Sequence, residues 1–234
     1  VRTSMTQTLD DALEYWQYDV TVSFSRSYRI EQIEQVARSV SNVDAVESWD
    51  FSALRRQRPD GSESDNIFVA ALPAETRMLS PTLIDGRWLL PEDENALVLG
   101  HEILKTESDL AVGESLLLKI DGRDTEWHVV GIARVVGNGN MAYANYPHFT
   151  RIAHNVDRAS QVQIVTNPRD AQTIDDVSQV LEKAYEAAGM QVTSTQTITR
   201  LREQNEFFFQ VIVTLMLVMA VLIAAVGALG LTGT

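Results

Sequence analysis

The sequence predicts an α+β fold in which two β-α-β units build one sheet covered by two helices. An inserted β-rich lobe splits the units, and a transmembrane helix follows them. Three observations lead there. Strand, helix and strand patterning occurs at 18–72 and recurs at 161–195. Between those stretches, short apolar runs are separated by turn dipeptides. At the C-terminus, residues 207–231 carry only Gln210 and Thr214 as polar side chains, which is long enough for a bilayer that needs roughly 20 apolar residues.

The elements follow in order. Residues 6–16 have Met5, Leu9, Ala12, Leu13 and Trp16 at helical spacing, so 1–16 reads as an N-terminal stalk helix. Residues 18–24 alternate, with Val20, Val22 and Phe24 on one face and Asp19, Thr21 and Ser23 on the other, as a half-buried strand does. A helix over 28–40 places Ile30, Ile33, Val36, Ala37 and Val40 in one stripe, and a strand over 45–54 follows. The charged Pro-Asp-Gly stretch 55–66, beginning Arg-Arg-Gln-Arg, reads as a solvated hairpin tip, and 67–72 as a third strand.

Residues 79–136 then give short strands, with Asp85-Gly86 and Asp121-Gly122 expected at hairpin turns. An irregular stretch is expected at 137–147 and a strand at 161–166. Residues 170–188 form a helix opened by Asp170 and stopped by Gly189, with Ile174, Val177, Val180, Leu181, Tyr185 and Ala188 on its inner face. A strand over 191–195 follows. No proline or glycine interrupts 196–206 before the apolar run, so one helix is expected to pass from the domain into the membrane. Ile198, Leu201 and Gln204 would couple its upper part to the domain. Ala220, Ala224 and Ala228, with Gly227 beside them, give a small-residue face for packing against another membrane helix. The expected division is 1–16 stalk, 17–74 first half of the split lobe, 75–155 inserted lobe, 156–195 second half, 196–206 stalk and 207–234 transmembrane helix.

Charge sets the partners. The chain has 234 residues and a formal net charge of -13, all of it in the first 206 residues because 207–234 contain no charged side chain. An acidic water-facing region excludes nucleic acid, which attracts Lys and Arg clusters. Such a domain before a span is placed on the extracytoplasmic side of the inner (cytoplasmic) membrane, with membrane lipid around the span. There is no cysteine.

No catalytic constellation is visible, so no enzyme, cofactor or metal site is expected. His101, His128, His148 and His154 fall in different elements without metal-ligand spacing, and His101-Glu102 lacks a second histidine because Lys105 stands there. Gly137-Asn138-Gly139 lacks the third glycine and the helix of a phosphate loop. The run Glu92, Asp93 and Glu94 reads as solvated charge rather than a catalytic pair, which needs contrasting environments. If ATP drives this protein, another chain or domain must bind it.

The order of motifs resembles the FtsX-like permeases, the group that includes the macrolide exporter MacB and the lipoprotein-release permeases. The resemblance is carried by LIDGRWLLPEDENALVLG at 83–100, VGESLLLKIDG at 112–122, WHVVGIARVVG at 127–137 and the closing glycine-rich helix. It implies a porter-like lobe with an inserted β-rich lobe, lying between the first and second of four transmembrane helices. It also implies a dimer with a second permease subunit, a cytoplasmic ATP-binding subunit, and coupling by mechanotransmission to an extracytoplasmic protein partner or substrate. The alternative expectation is a sensor or adaptor domain of a membrane signalling protein.

Overall fold

The computed structural model describes residues 15–135, 139–200, 214–216 and 219. Contacts divide the chain into two units, Val1–Thr197 and Ile198–Thr234. In the second unit, 198–200, 214–216 and 219 are helical. Among the described residues no helix is long and apolar enough to cross a membrane. Most of the expected span, with Ala220, Ala224, Gly227 and Ala228, lies outside the described residues, as do Leu201, Gln204 and most of the N-terminal stalk.

The first unit contains ten strands and three α-helices: β1 (Val20–Arg29), α1 (Ile30–Arg38), β2 (Val43–Gln57), β3 (Ile67–Leu72), β4 (Thr82–Gly86), β5 (Ala96–Gly100), β6 (Ser115–Ile120), β7 (Arg123–Arg134), β8 (Met141–Asn145), α2 (Tyr146–Ile152), β9 (Arg158–Thr166), α3 (Ala171–Ala187) and β10 (Val192–Thr197). They form one sheet in the order β10-β1-β9-β2-β3-β8-β5-β7-β4, with β6 joining β2 and β7 off that path. The fold is α+β, as the sequence implies.

In the sector β10-β1-β9-β2 every neighbour is antiparallel. β9 lies between β1 and β2, so α1 connects two parallel strands with a third inserted between them, a split β-α-β. The apolar face that α1 and α3 cover carries Val20, Val22, Phe24, Val162 and Ile164, all buried. Ile33 and Ala37 of α1 and Ile174, Val177, Leu181 and Tyr185 of α3 fill the layer. Tyr185 Oη donates to the Ile33 carbonyl at 3.0 Å, tying the helices together. α3 starts where Asp170 accepts from the Thr173 amide at 3.0 Å, and Gly189 ends it at φ 78°.

β2 is the spine of the sheet. Its 43–49 portion pairs with β9, Asp50 to Leu54 with β3, and Arg55 to Gln57 with β6. Beyond it, β3 and β8 run parallel, as do β5 and β7. One face of this sector packs Leu54, Val69, Leu97, Leu99, Leu118, Trp127 and Ala142 against Phe149 of α2. The other packs Leu72, Val98, Ala133 and Tyr143 against Tyr15, Met78, Leu79 and Leu89.

Several expectations need correction. The strand expected to stop at Leu54 continues to Gln57, because Arg56 is buried among carboxylates rather than solvated. Met141–Asn145 is a central strand, not irregular chain; its pairing with β3 is non-local and leaves no local signature. Asp121-Gly122 does form the β6–β7 turn, both with positive φ, but Asp85-Gly86 ends β4 at a register shift against β7. A Cβ on Gly86 would lie 2.3 Å from the Val130 carbonyl oxygen, so a close backbone approach explains that glycine. Trp16 bridges to Leu79 instead of continuing a helix. Val180 is 50 % exposed rather than inward-facing. The last strand extends through Thr197, so helix starts at Ile198 and not at 196.

Candidate functional site

The chain enters and leaves the folded unit side by side. Val20 at the start of β1 pairs with Thr197 at the end of β10, and Thr21 with Gln196. Thr197 is buried. Ile198, expected to couple stalk and domain, is half-buried in the helical turn that follows.

The incoming segment is fastened at two places. Asp19, placed by its alternation on a solvent face, is buried. One carboxylate oxygen accepts from the Thr166 amide at 2.9 Å and the Thr166 hydroxyl at 3.2 Å, and the other meets Arg169 at 2.8 Å. Its own amide donates to the Ile164 carbonyl at 2.9 Å. Asp19 therefore locks the incoming chain to β9 and the start of α3. A few residues earlier, Gln17 donates its amide to Met78 at 3.0 Å, and Ser80 donates to the Tyr15 carbonyl at 2.9 Å. The Tyr15 hydroxyl bonds the Tyr143 hydroxyl of β8. This second anchor belongs to the β-rich sector.

An aromatic chain joins the anchors. Tyr15 packs edge-on to Trp16 at 4.8 Å, Trp16 to Tyr18 at 5.4 Å and Tyr18 to Trp49 at 5.8 Å. Trp88 lies 5.3 Å from Tyr143. Such edge-to-face pairs contribute about 0.5–1.5 kcal/mol each beyond the area they bury. Burial pushes the Tyr15 hydroxyl up to about 12, although its bond to Tyr143 opposes the shift. Burial also raises Tyr18 and Tyr143, so all three phenols stay neutral. Behind them, Trp49 Nε1 donates to Glu47 Oε1 at 2.6 Å and the Thr76 hydroxyl to the same oxygen at 2.5 Å. Burial outweighs these bonds and raises the Glu47 carboxyl.

The incoming chain grips both sectors of the sheet, whereas the outgoing chain leaves from β10, which among the described residues pairs with β1 alone. The sequence analysis places Trp16 in a helical stripe and assigns no role to Tyr15, Tyr18, Asp19 or Tyr143; the aromatic density at Tyr15, Trp16 and Tyr18 is the signal that could have marked the anchor, whereas Asp19 and Tyr143 depend on remote partners.

A second polar cluster lies at the β2–β3 hairpin. Arg56, with its side chain 4 % exposed, bonds Glu107 at 2.6 Å and also pairs with Asp109; Arg58 bonds Glu107 at 2.6 Å. The Arg56 guanidinium holds the Asp109 carboxyl down to about 2. Burial raises Glu107, but hydrogen bonds from Arg58 and Arg56 outweigh it and leave that carboxyl below its usual range. Among the acidic run, Asp93 is not simply solvated. It pairs with Arg87 at 2.6 Å and accepts from the Leu90 amide at 2.8 Å.

The histidines occupy separate sites. His128 bonds the Ser115 hydroxyl at 2.8 Å, His148 bonds Asn95, His101 lies 3.2 Å from Glu102, and His154 has φ 50°. Among the described residues no group of three His, Cys, Asp or Glu side chains is placed to hold a metal.

Two solved structures share the fold. The periplasmic region of MacB from Actinobacillus actinomycetemcomitans superposes with a TM-score of 0.57 at 11 % identity, covering 86 % of this chain and 98 % of that one. The extracellular domain of the ABC-type transporter YknZ from Gram-positive bacteria gives 0.53 at 13 % identity, covering 76 % and 99 %. No curated protein matches the sequence. The family model of the MacB-like periplasmic core domain matches residues 1–184. With that match over most of its length and the shared split-lobe fold, the chain belongs to the MacB-like periplasmic core domain family.

Proposed function

We propose that this chain is the extracytoplasmic domain and following membrane helix of an ABC transporter permease, and that it passes movement between membrane helices and outer domain. ATP is bound and hydrolysed by a separate cytoplasmic subunit, and a second permease subunit completes a dimer. The chain itself performs no bond-making step. Movement serves export, release of a lipoprotein or activation of a partner, so substrate need not traverse the bilayer.

The observation carrying this reading is the register of Val20 with Thr197. Adjacent ends let a displacement of the flanking helices move one base as a lever, while Asp19 and Tyr143 carry that displacement into both sectors of the sheet. Family membership supports the assignment to a transporter.

A proline at Gln204 tests the coupling. In a helix interior it removes a backbone bond and clashes with the preceding turn, at about 3 kcal/mol or more. In the reconstituted complex, ATP hydrolysis should survive while transport falls sharply. Undiminished transport would show the segment to be only a tether.

A further inference from the structure

The β2–β3 hairpin and β6 enclose a notch lined by Arg56, Arg58, Pro59, Leu116, Leu117 and Glu126, with a volume of about 270 Å³. It is smaller than the roughly 300–1,000 Å³ that encloses a whole small ligand. One side chain fits it.

The backbone beside the notch is open for a geometric reason. Arg56 turns its main chain toward Ser64: its amide donates to the Ser64 hydroxyl at 2.9 Å, and its carbonyl accepts from the Ser64 amide at 2.9 Å. Strand groups alternate sides, so Arg55 and Gln57 face β6, in register with Lys119 and Leu117. The next β6 residue facing the same way is Ser115. Its partner strand has already ended: Arg58 donates its amide to the Ser62 carbonyl at 2.8 Å, and Pro59 has no amide to give. Ser115 is exposed. It therefore presents an amide and a carbonyl along an unpaired edge.

Charge identifies the partner. Arg56 gives its two terminal nitrogens to Glu107 and Asp109 while its Nε is buried without a partner, and Arg58 is bonded to Glu107, Ser62 and the Glu63 carbonyl. The exposed Glu126, in register with Leu117, is engaged by no cation among the described residues. The rim can accept hydrogen bonds and positive charge, but has little left to donate to an anion. The buried ion cluster keeps the hairpin wall fixed, so the site is formed before anything binds.

We propose that this notch takes one apolar side chain of an extended, lysine- or arginine-bearing segment of an extracytoplasmic protein, which adds as a short strand along Ser115 with its cation on Glu126. Strand addition of this kind draws affinity from main-chain bonds and specificity from the side-chain notch. The inference goes beyond the permease reading and uses it only for the side of the membrane on which the partner is found.

The test uses the 234-residue chain in detergent, without ATP or transport, so its failure is distinct from failure of the coupling reading. The probe is a fluorescent, acetylated hexapeptide of sequence Thr-Lys-Leu-Lys-Val-Thr, followed by anisotropy. Saturable binding is expected below about 1 mM, with Glu126→Lys and a peptide carrying Glu for Lys each weaker by about tenfold. N-methylation of the peptide leucine should weaken binding similarly, as should Ser115→Pro in a sample with an unchanged circular dichroism spectrum. Absence of saturable binding overturns the proposal, as does equal affinity for Glu126→Lys, for the acidic peptide or for the N-methylated peptide.

Discussion

The hydroxyls of Tyr15 and Tyr143 bond to each other across the sheet, joining the incoming chain to β8 from 128 residues away. Both residues are buried. Tyr143→Phe should leave the Tyr15 hydroxyl without a partner and cost about 1–3 kcal/mol. The double variant with Tyr15→Phe should cost less than the two single losses added. Denaturant melts of the four proteins in the cycle check this, and strict additivity would contradict it.

Arg56 is the cation on which the hairpin cluster depends. Arg56→Met leaves the buried Glu107 with Arg58 as its remaining cation and Asp109 without its guanidinium, and a loss below the roughly 3–5 kcal/mol of a fully uncompensated buried charge is expected. The pH dependence has a fixed sign. Glu107 and Asp109 have lowered folded pKa values, so their stabilisation is present above the unfolded carboxylate range. It is lost as pH falls from about 4 toward the Asp109 value of about 2. Acid titration of stability should be shallower in Arg56→Met, and an unchanged profile would sink the assignment.

His148 titrates in a second window. Burial lowers its pKa below 6.5, and its Nδ1 is enclosed without a hydrogen-bond partner. The unfolded chain therefore takes up a proton first as pH falls. Stability should decline from about pH 6.5 downward until the folded imidazole also charges. His148→Gln should flatten that segment of the thermal-melting profile while leaving the more acidic segment in place.

Gly131 marks the closest approach of β7 to the chain after β4. A Cβ there would sit 2.1 Å from the Arg87 carbonyl oxygen. Gly131→Ala must displace backbone, with an expected loss of about 1–3 kcal/mol. Wild-type stability by thermal melt would show that the chain at Arg87 yields freely.

Legibility followed how local the physics was. α3 was readable because its cap and glycine stop flank it directly and its stripe, Val180 apart, lies within it. β1 and the β6–β7 turn were readable for similar reasons. β8 was not, since Met141–Asn145 is a strand only by virtue of β3 and β5 on either side. Arg56 and Asp19 were misplaced for one reason: a charged side chain is assigned to solvent until its partner is known, and their partners lie 51 and 147 residues away. The segment ahead of β1 was read only as a helix, and the bond from Tyr15 to Tyr143 spans too much chain to leave a local trace.

The most direct test of rigid coupling at the chain ends exploits the absence of cysteine. Thr21 and Gln196 are register partners across β1 and β10, and antiparallel partners lie about 4.5–5.5 Å apart at Cα, within disulfide reach. Thr21→Cys with Gln196→Cys should oxidise readily in the membrane. If the two ends move as one base, transport per ATP hydrolysed by the assembled complex should be the same with the bridge closed as after reduction. Transport that stops on oxidation and returns on reduction, with hydrolysis unchanged, would show that β10 must leave β1 and would contradict rigid transmission.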